Sequence, residues 1–191
     1  MFLADPVTPE ALAYLEKDRR ESGYVANFER AWAWRPDIAE AFGALRQKLM
    51  DQSSLTPRET ALIVCATVGT LGDSYCSLAW GGRLAALAGP VLAAEVLRGA
   101  ESAELTARES ALLRWARQLV RDPNGATSRQ VEELRMAGLS DREIFEATVF
   151  TALRLAFSTV NDGLGARPDS QLAAAAPPEV RAAVSYGRVP D

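Results

Sequence analysis

Residues 55–89 read LTPRETALIVCATVGTLGDSYCSLAWGGRLAALAG, and their punctuation specifies two helices in succession. Thr56 is placed to cap the first, with Pro57 at the first helical position and Glu59 three residues after the cap. Thr-x-x-Glu is a capping box, in which hydroxyl and carboxylate each satisfy a backbone N–H that the helix leaves without a partner. A Gly-Thr-Leu-Gly break at Gly69–Gly72 separates this helix from a second one, for which Asp73 is the expected N-cap. Cys76 then falls at the third helical position, where the positive end of the helix dipole favours a thiolate. That makes Cys76 a candidate nucleophile. The competing reading is a small buried hydrophobe, which is what most free cysteines are.

Upstream, Thr8-Pro9-Glu10 opens a helix that runs to about Glu21 and stops at Ser22-Gly23, and Tyr24 to Trp34 is rich in aromatic residues. Ile38, Ala41, Phe42, Leu45 and Leu49 recur at helical spacing, predicting a helix from Pro36 to about Asp51. Downstream, a short helix from Pro90 to Arg98 closes at Gly99. Leu105-Thr-Ala-Arg-Glu-Ser-Ala-Leu112 then echoes Leu55-Thr-Pro-Arg-Glu-Thr-Ala-Leu62, pointing to two related helical units. Further caps stand at Thr127 with Gln130 and at Ser140 with Glu143, with Gly138 as a C-cap between them. A long apolar helix from Ile144 to Leu155 continues towards Asn161-Asp162-Gly163, whose expected work is helix termination. No segment alternates with a period of two, so the expected class is all-α with about eight helices. Residues 1–168 make the expected helical domain. Residues 169–191 are an Ala/Pro-rich tail, disordered or wrapped around a neighbouring subunit, with one short helix over 178–186.

Among the 191 residues, 48% are hydrophobic, enough for a sizeable core, and a net charge of -4 with dispersed cations gives no nucleic-acid or membrane-surface footprint. The N-terminal residues meet proline and acid too early for a signal peptide or a membrane span, so a cytoplasmic protein is expected. There is no histidine, which removes Ser-His-Asp and Cys-His catalysis and the usual zinc and haem ligands. Neither a phosphate-cradling glycine loop nor a metal-ligand cluster is present, so no cofactor and no metal is expected. The two cysteines, Cys65 and Cys76, would lie about 16 Å apart along one straight helix, far beyond disulfide reach unless the glycine break folds the chain back.

The 55–89 stretch resembles the core of the carboxymuconolactone decarboxylase and AhpD-like alkylhydroperoxidase family. That family carries a Glu-bearing helix, a short break, and Cys-x-x-Cys-x-x-x-His opening the next helix. The later runs LTARESALLRWARQLV and VEELRMAGLSDREIFEATVFTALRLAFSTVNDGLGARPD are similar to its peroxidase-related branch, so the likeness covers about residues 25–169. It implies an internally duplicated all-α fold and a homo-oligomer, a trimer, dimer or hexamer. In the family the second cysteine attacks a peroxide and the first resolves the sulfenic acid as a disulfide. Here only the second is kept, as Cys76.

The departures from that pattern fall on the chemistry. Asp73 replaces the resolving cysteine, and its carboxylate opposes thiolate formation next to Cys76. Trp80 stands at the relay histidine's place, four residues after Cys76, and indole has no basic nitrogen to shuttle a proton. Packing against Cys76, or walling a pocket for an apolar ligand, suits it better. Tyr75 occupies a place where some members have a second histidine, with a hydroxyl able to donate to a peroxide. Glu59 resembles the relay glutamate, about two residues further from Cys76 than expected, although its capping role needs no catalysis to explain it. Arg83, seven residues after Cys76, is the expected thiolate-stabilising cation, and Gly81-Gly82 point to close helix or subunit approach.

Two readings follow. The first is a single-cysteine AhpD-like thiol oxidoreductase, with Cys76, Glu59 and Tyr75 as catalytic candidates and Asp73, Trp80 and Arg83 lining the pocket; it takes a small hydroperoxide and an external thiol reductant. The second is a non-catalytic oligomeric helical protein that binds a small apolar ligand or a partner beside Trp80. A lactone decarboxylase without thiol chemistry is disfavoured, since proton transfer would fall to Glu59, Asp73 or Tyr75.

Overall fold

The computed structural model describes residues 1–191 and contains helices but no strand. In order these are α1 Pro9–Ser22, α2 Asn27–Trp32, α3 Pro36–Asp51, α4 Pro57–Leu71, α5 Ser74–Ala88, α6 Pro90–Arg98, α7 Ala107–Arg121, α8 Ser128–Met136, α9 Asp141–Gly163, α10 Ser170–Ala175 and α11 Pro178–Ala183. Three of the eleven, α2, α10 and α11, have only 6 residues, so the expected eight corresponds to the long helices. Fewer than two turns leave little periodicity to read.

Helix α4 is the centre of the molecule. Every residue from Glu59 to Val68 is buried, and α5, α6, α7 and α9 all pack against it. A helix covered on all sides needs no polar stripe, which is why LIVCATV reads as a continuous apolar run. Leu62 and Ile63 on it, and Leu84, Leu92, Leu97 and Leu112 around it, are wholly excluded from solvent or nearly so. Each such side chain contributes roughly 1.5–3 kcal/mol from burial.

The sequence echo has a spatial counterpart. Capping boxes open α4 at Thr56 and α7 at Thr106, and the two motifs pair reciprocally. Arg58 Nε lies 2.7 Å from Glu109 Oε1, and Arg108 Nε lies 2.6 Å from Glu59 Oε1. Each carboxylate thus closes its own helix's cap and holds the arginine of the other unit. Arg108 also reaches Glu143 and the Gly138 carbonyl, tying α9 to the same junction.

Gly69 and Gly82 behave differently from expectation, whereas Gly81 meets it. The break between α4 and α5 is Gly72, in the left-handed conformation (φ 82°), and the N-cap Asp73; α4 continues through Gly69 to Leu71. Gly69 is required by approach instead, because a Cβ there would sit 2.5 Å from the Leu97 carbonyl oxygen of α6. At Gly81 a Cβ would meet Val180 Cγ1 at 2.6 Å, so this glycine admits α11 of the same chain, whereas Gly82 faces nothing within 4 Å.

Residues 169–191 pack on their own chain. Val180 is fully buried in the main core, and Ala176 and Ala183 join it. Asp169 accepts hydrogen bonds from the Asn27 backbone N–H at 2.9 Å and from the Tyr75 hydroxyl. The α9 terminus is also more than a stop. Asn161 is wholly buried and its Oδ1 accepts from Trp32 Nε1 at 2.9 Å, while Gly165 (φ 79°) turns the chain. No helix is long and apolar enough to cross a membrane.

Candidate active site around Cys76

The first turn of α5 is organised as expected from its cap. Asp73 is the N-cap, its Oδ1 accepts the Cys76 backbone N–H at 2.9 Å, and Cys76 is the third helical residue. The side chains that meet the sulfur come from α9, 78 and 82 residues away in sequence. Arg154 Nη1 donates to Cys76 Sγ at 3.4 Å, and Ser158 Oγ is 3.9 Å from the same sulfur. Arg154 and Ser158 are four residues apart on one helix and so share a face. Ser158 also donates to Asp73 Oδ2 at 2.5 Å, closing a ring of Asp73, Cys76, Arg154 and Ser158.

Electrostatics in this ring pull in two directions. Burial pushes the Cys76 thiol up to about 12, the Asp73 charge and hydrogen bond add to that rise, and Arg154 and Ser158 work against it. The resting group is therefore a thiol. The negative charge of Asp73 is felt by Asp162 too, which burial first and Asp73 second hold up at about 6 against the pull of Arg188. Cys65 is wholly buried in the core, its thiol raised by desolvation, and neither cysteine is in a disulfide.

Arg154 is the residue that sequence reasoning missed. It is 6% exposed, pairs with no carboxylate, and its Nε has no hydrogen-bond partner. Its guanidinium lies 5.2 Å from the Trp80 ring centre and 5.1 Å from that of Phe157. A usable signal existed: Arg154 is the only charged residue on α9 between Glu146 and Asp162. A lone buried charge in such a run costs too much to be there for packing alone.

The other sequence candidates are distributed differently. Arg83 is exposed and stacks on Trp80 at 4.9 Å, so the cation at the sulfur is Arg154 and not Arg83. An offset of seven residues places a side chain two turns along the axis, about 10 Å away. Glu59 is not brought to Cys76. It opens α4 while Cys76 follows the other end of that helix, about 18 Å of helix away. Burial pushes its pKa up, but Arg108 and the Thr56 cap outweigh that and hold the carboxyl below the usual range. Tyr75 is next to Cys76 in sequence, yet its hydroxyl is committed to Asp169; burial and that bond raise it, and its ring meets Phe28 edge-on. Trp80 meets the Arg154 guanidinium and lines, with Arg46, Met50, Val64, Phe150, Leu153 and Arg154, a cavity of about 20 Å³.

Helix order and packing of this kind recur among solved structures. A peroxidase-related protein from Ralstonia eutropha JMP134, described as an alkylhydroperoxidase AhpD core, superposes with a TM-score of 0.77 over 100% of this chain and 97% of its own, at 24% identity. This chain has the AhpD-like fold. A peroxidase-related protein from Silicibacter sp. TM1040 matches 88% of this chain and 90% of its own with a TM-score of 0.74 at 26% identity. The debrominase Bmp8, as a cysteine-to-alanine variant in complex with 2,3,4-tribromopyrrole, matches 91% of this chain and 95% of its own with a TM-score of 0.71 at 16% identity. No family model matches the sequence, and no curated protein matches it. In this AhpD-like chain Asp73, Cys76 and Trp80 are brought together on α5, and the groups that complete the cluster are Arg154 and Ser158.

Proposed function

We propose that this AhpD-like protein is a single-cysteine thiol oxidoreductase in which Cys76 reduces a small organic hydroperoxide. One observation carries the reading: the Arg154 guanidinium, buried and unpaired, lies 3.4 Å from the Cys76 sulfur at the first turn of α5. A cation so placed favours the sulfur once it has lost its proton. The proton passes to the Asp73 carboxylate, which already accepts hydrogen bonds from Ser158 and from the Cys76 backbone. The thiolate attacks the terminal oxygen of the hydroperoxide, the O–O bond breaks, and the departing alkoxide recovers the proton from Asp73. Cys76 is left as a sulfenic acid and the substrate as an alcohol. With aspartate at the resolving position, an external thiol condenses with the sulfenic acid and releases water. A second external thiol then reduces the mixed disulfide, and an external disulfide leaves. Asp73 thus takes the proton-handling part that a histidine has in the related pattern. The peroxidase-related neighbours support this reading.

A second reading has its own support. Cys76 is 2% exposed and its thiol is pushed up to about 12, chiefly by burial, which suits a non-catalytic protein binding a small ligand beside Trp80. Intact mass after brief exposure to an organic hydroperoxide with a sulfenic-acid trap separates the two. One trapped adduct, absent from Cys76→Ser, supports the oxidoreductase; a Cys76 that remains a thiol under excess peroxide, or a Cys65 that reacts equally, sinks it.

A further inference from the structure

We infer that the chamber between Arg46 and Arg154, the arginine that reaches the Cys76 sulfur, is a binding site for a small monoanionic group: the carboxylate end of an organic acid, or a halide ion. Arg154 is 94% removed from solvent by its 6% exposure, is in no ion pair, and leaves Nε without a partner. Arg46, half-buried on α3, also joins no ion pair and shares the Phe157 ring with it, at 5.5 Å and 5.1 Å to the centroid. Two guanidiniums held this close repel each other. Burial depresses the Arg46 proton affinity first and the Arg154 charge depresses it further.

No carboxylate comes within ion-pair distance of either guanidinium, although the Glu29 charge is felt at Arg46. The nearest acid on α5, Asp73, is occupied by Ser158 and the Cys76 backbone, and Glu29, the acid facing Arg46, takes the Tyr14 hydroxyl. The cavity they line, about 20 Å³, includes no acidic residue and is otherwise walled by Trp80, Met50, Val64, Phe150 and Leu153. That is room for about one water-sized group. Leaving a buried charge uncompensated is costly, and an anion in this space would remove the cost for both arginines at once. A space of this size takes a halide or one carboxylate oxygen, with the body of an organic acid left outside it, and has no room for a strongly hydrated dianion such as sulfate.

The inference stands apart from the redox reading, because it needs the arginines and not the thiol. Calorimetric titration of the intact protein with sodium bromide, sodium acetate and sodium benzoate at constant ionic strength tests it, together with bromine anomalous diffraction from crystals grown in bromide. Saturable binding is expected, weakened about tenfold or more in Arg154→Met and also weakened in Arg46→Met, with bromide density against the Arg154 guanidinium. Benzoate or acetate binding without bromide binding identifies an organic acid as the occupant, and bromide alone identifies a free halide; both support the site. Absence of saturable binding by all three salts overturns it, as does equal affinity in Arg46→Met, a half-exposed position whose variant tests the idea even if Arg154→Met does not fold. Cys76→Ser should bind as the wild type does while forming no sulfenic acid, so failure of the anion site and failure of the oxidoreductase reading are told apart.

Discussion

At the level of single residues, Cys76 is held between a carboxylate and a guanidinium, and the two should act on it in opposite senses. Asp73→Asn keeps an N-cap acceptor for the Cys76 backbone N–H but removes the charge that disfavours a thiolate. Its Cys76 should alkylate with iodoacetamide about tenfold faster at pH 8, whereas oxidation by hydroperoxide should slow, because the alkoxide has lost its proton donor. Arg154→Met should alkylate more slowly than wild type. Parallel rate changes in both variants would contradict the arrangement. The same thiol links stability to pH. Its pKa is 9.0 ordinarily and about 12 in the folded chain, so folding favours the protonated form. The stabilisation is complete below pH 9 and is lost as pH rises towards 12. Urea unfolding of wild type against Cys76→Ala should show the difference between them shrinking over that window. The comparison with the variant isolates Cys76 from Cys65 and the buried tyrosines, which also titrate at high pH.

Among the elements, the reciprocal arginines at the α4–α7 junction differ in reach. Arg58 bonds one carboxylate, whereas Arg108 bonds Glu59, Glu143 and the Gly138 carbonyl, joining α4, α7, α8 and α9 at their ends. Arg108→Met should lower the unfolding free energy by about 2–3 kcal/mol, since it strands acceptors that are mostly shielded from water. Arg58→Met should cost about 1 kcal/mol, its pair being more exposed. Chemical denaturation of the two variants decides it, and equal losses would count against the junction described here. These boxes were legible in the sequence because capping is local: Thr56, Thr106, Thr127 and Ser140 each meet a partner three residues on. What escaped was whatever depends on two distant helices crossing. Arg83 looked like the sulfur's cation because it is near in sequence, while Arg154 reaches it across 78 residues. The reciprocal pairing itself was half legible, as a repeat without a geometry. Gly69 read as a break because its real constraint, the Leu97 carbonyl, lies on another helix.

For the molecule as a whole, the C-terminal residues cover the turn that bears Cys76. Ser74 Oγ donates to the Arg188 carbonyl at 2.7 Å, Ser77 Oγ and the Tyr186 hydroxyl are 3.0 Å apart, and Tyr75 is bonded to Asp169. All three neighbours of Cys76 in its turn are thus tied to the segment that follows α9, and Gly187 is so close that a Cβ would approach the Gly72 carbonyl at 2.7 Å. Val180 in α11 is core, so removing everything after residue 168 would open the interior and unfold much of the chain. A stop after Val184 keeps α11 and removes only the covering C-terminal segment. In that shortened protein Ser74 and Ser77 become solvated, and desolvation, the largest cause of the raised Cys76 thiol, is relieved. Alkylation of Cys76 should then rise at least several-fold with the far-ultraviolet helical signal unchanged. An unchanged rate would mean that the route to the sulfur runs from the Arg154 and Trp80 side. In that case Trp80→Ala in the full-length chain, which opens the 20 Å³ cavity, is the variant that should accelerate it.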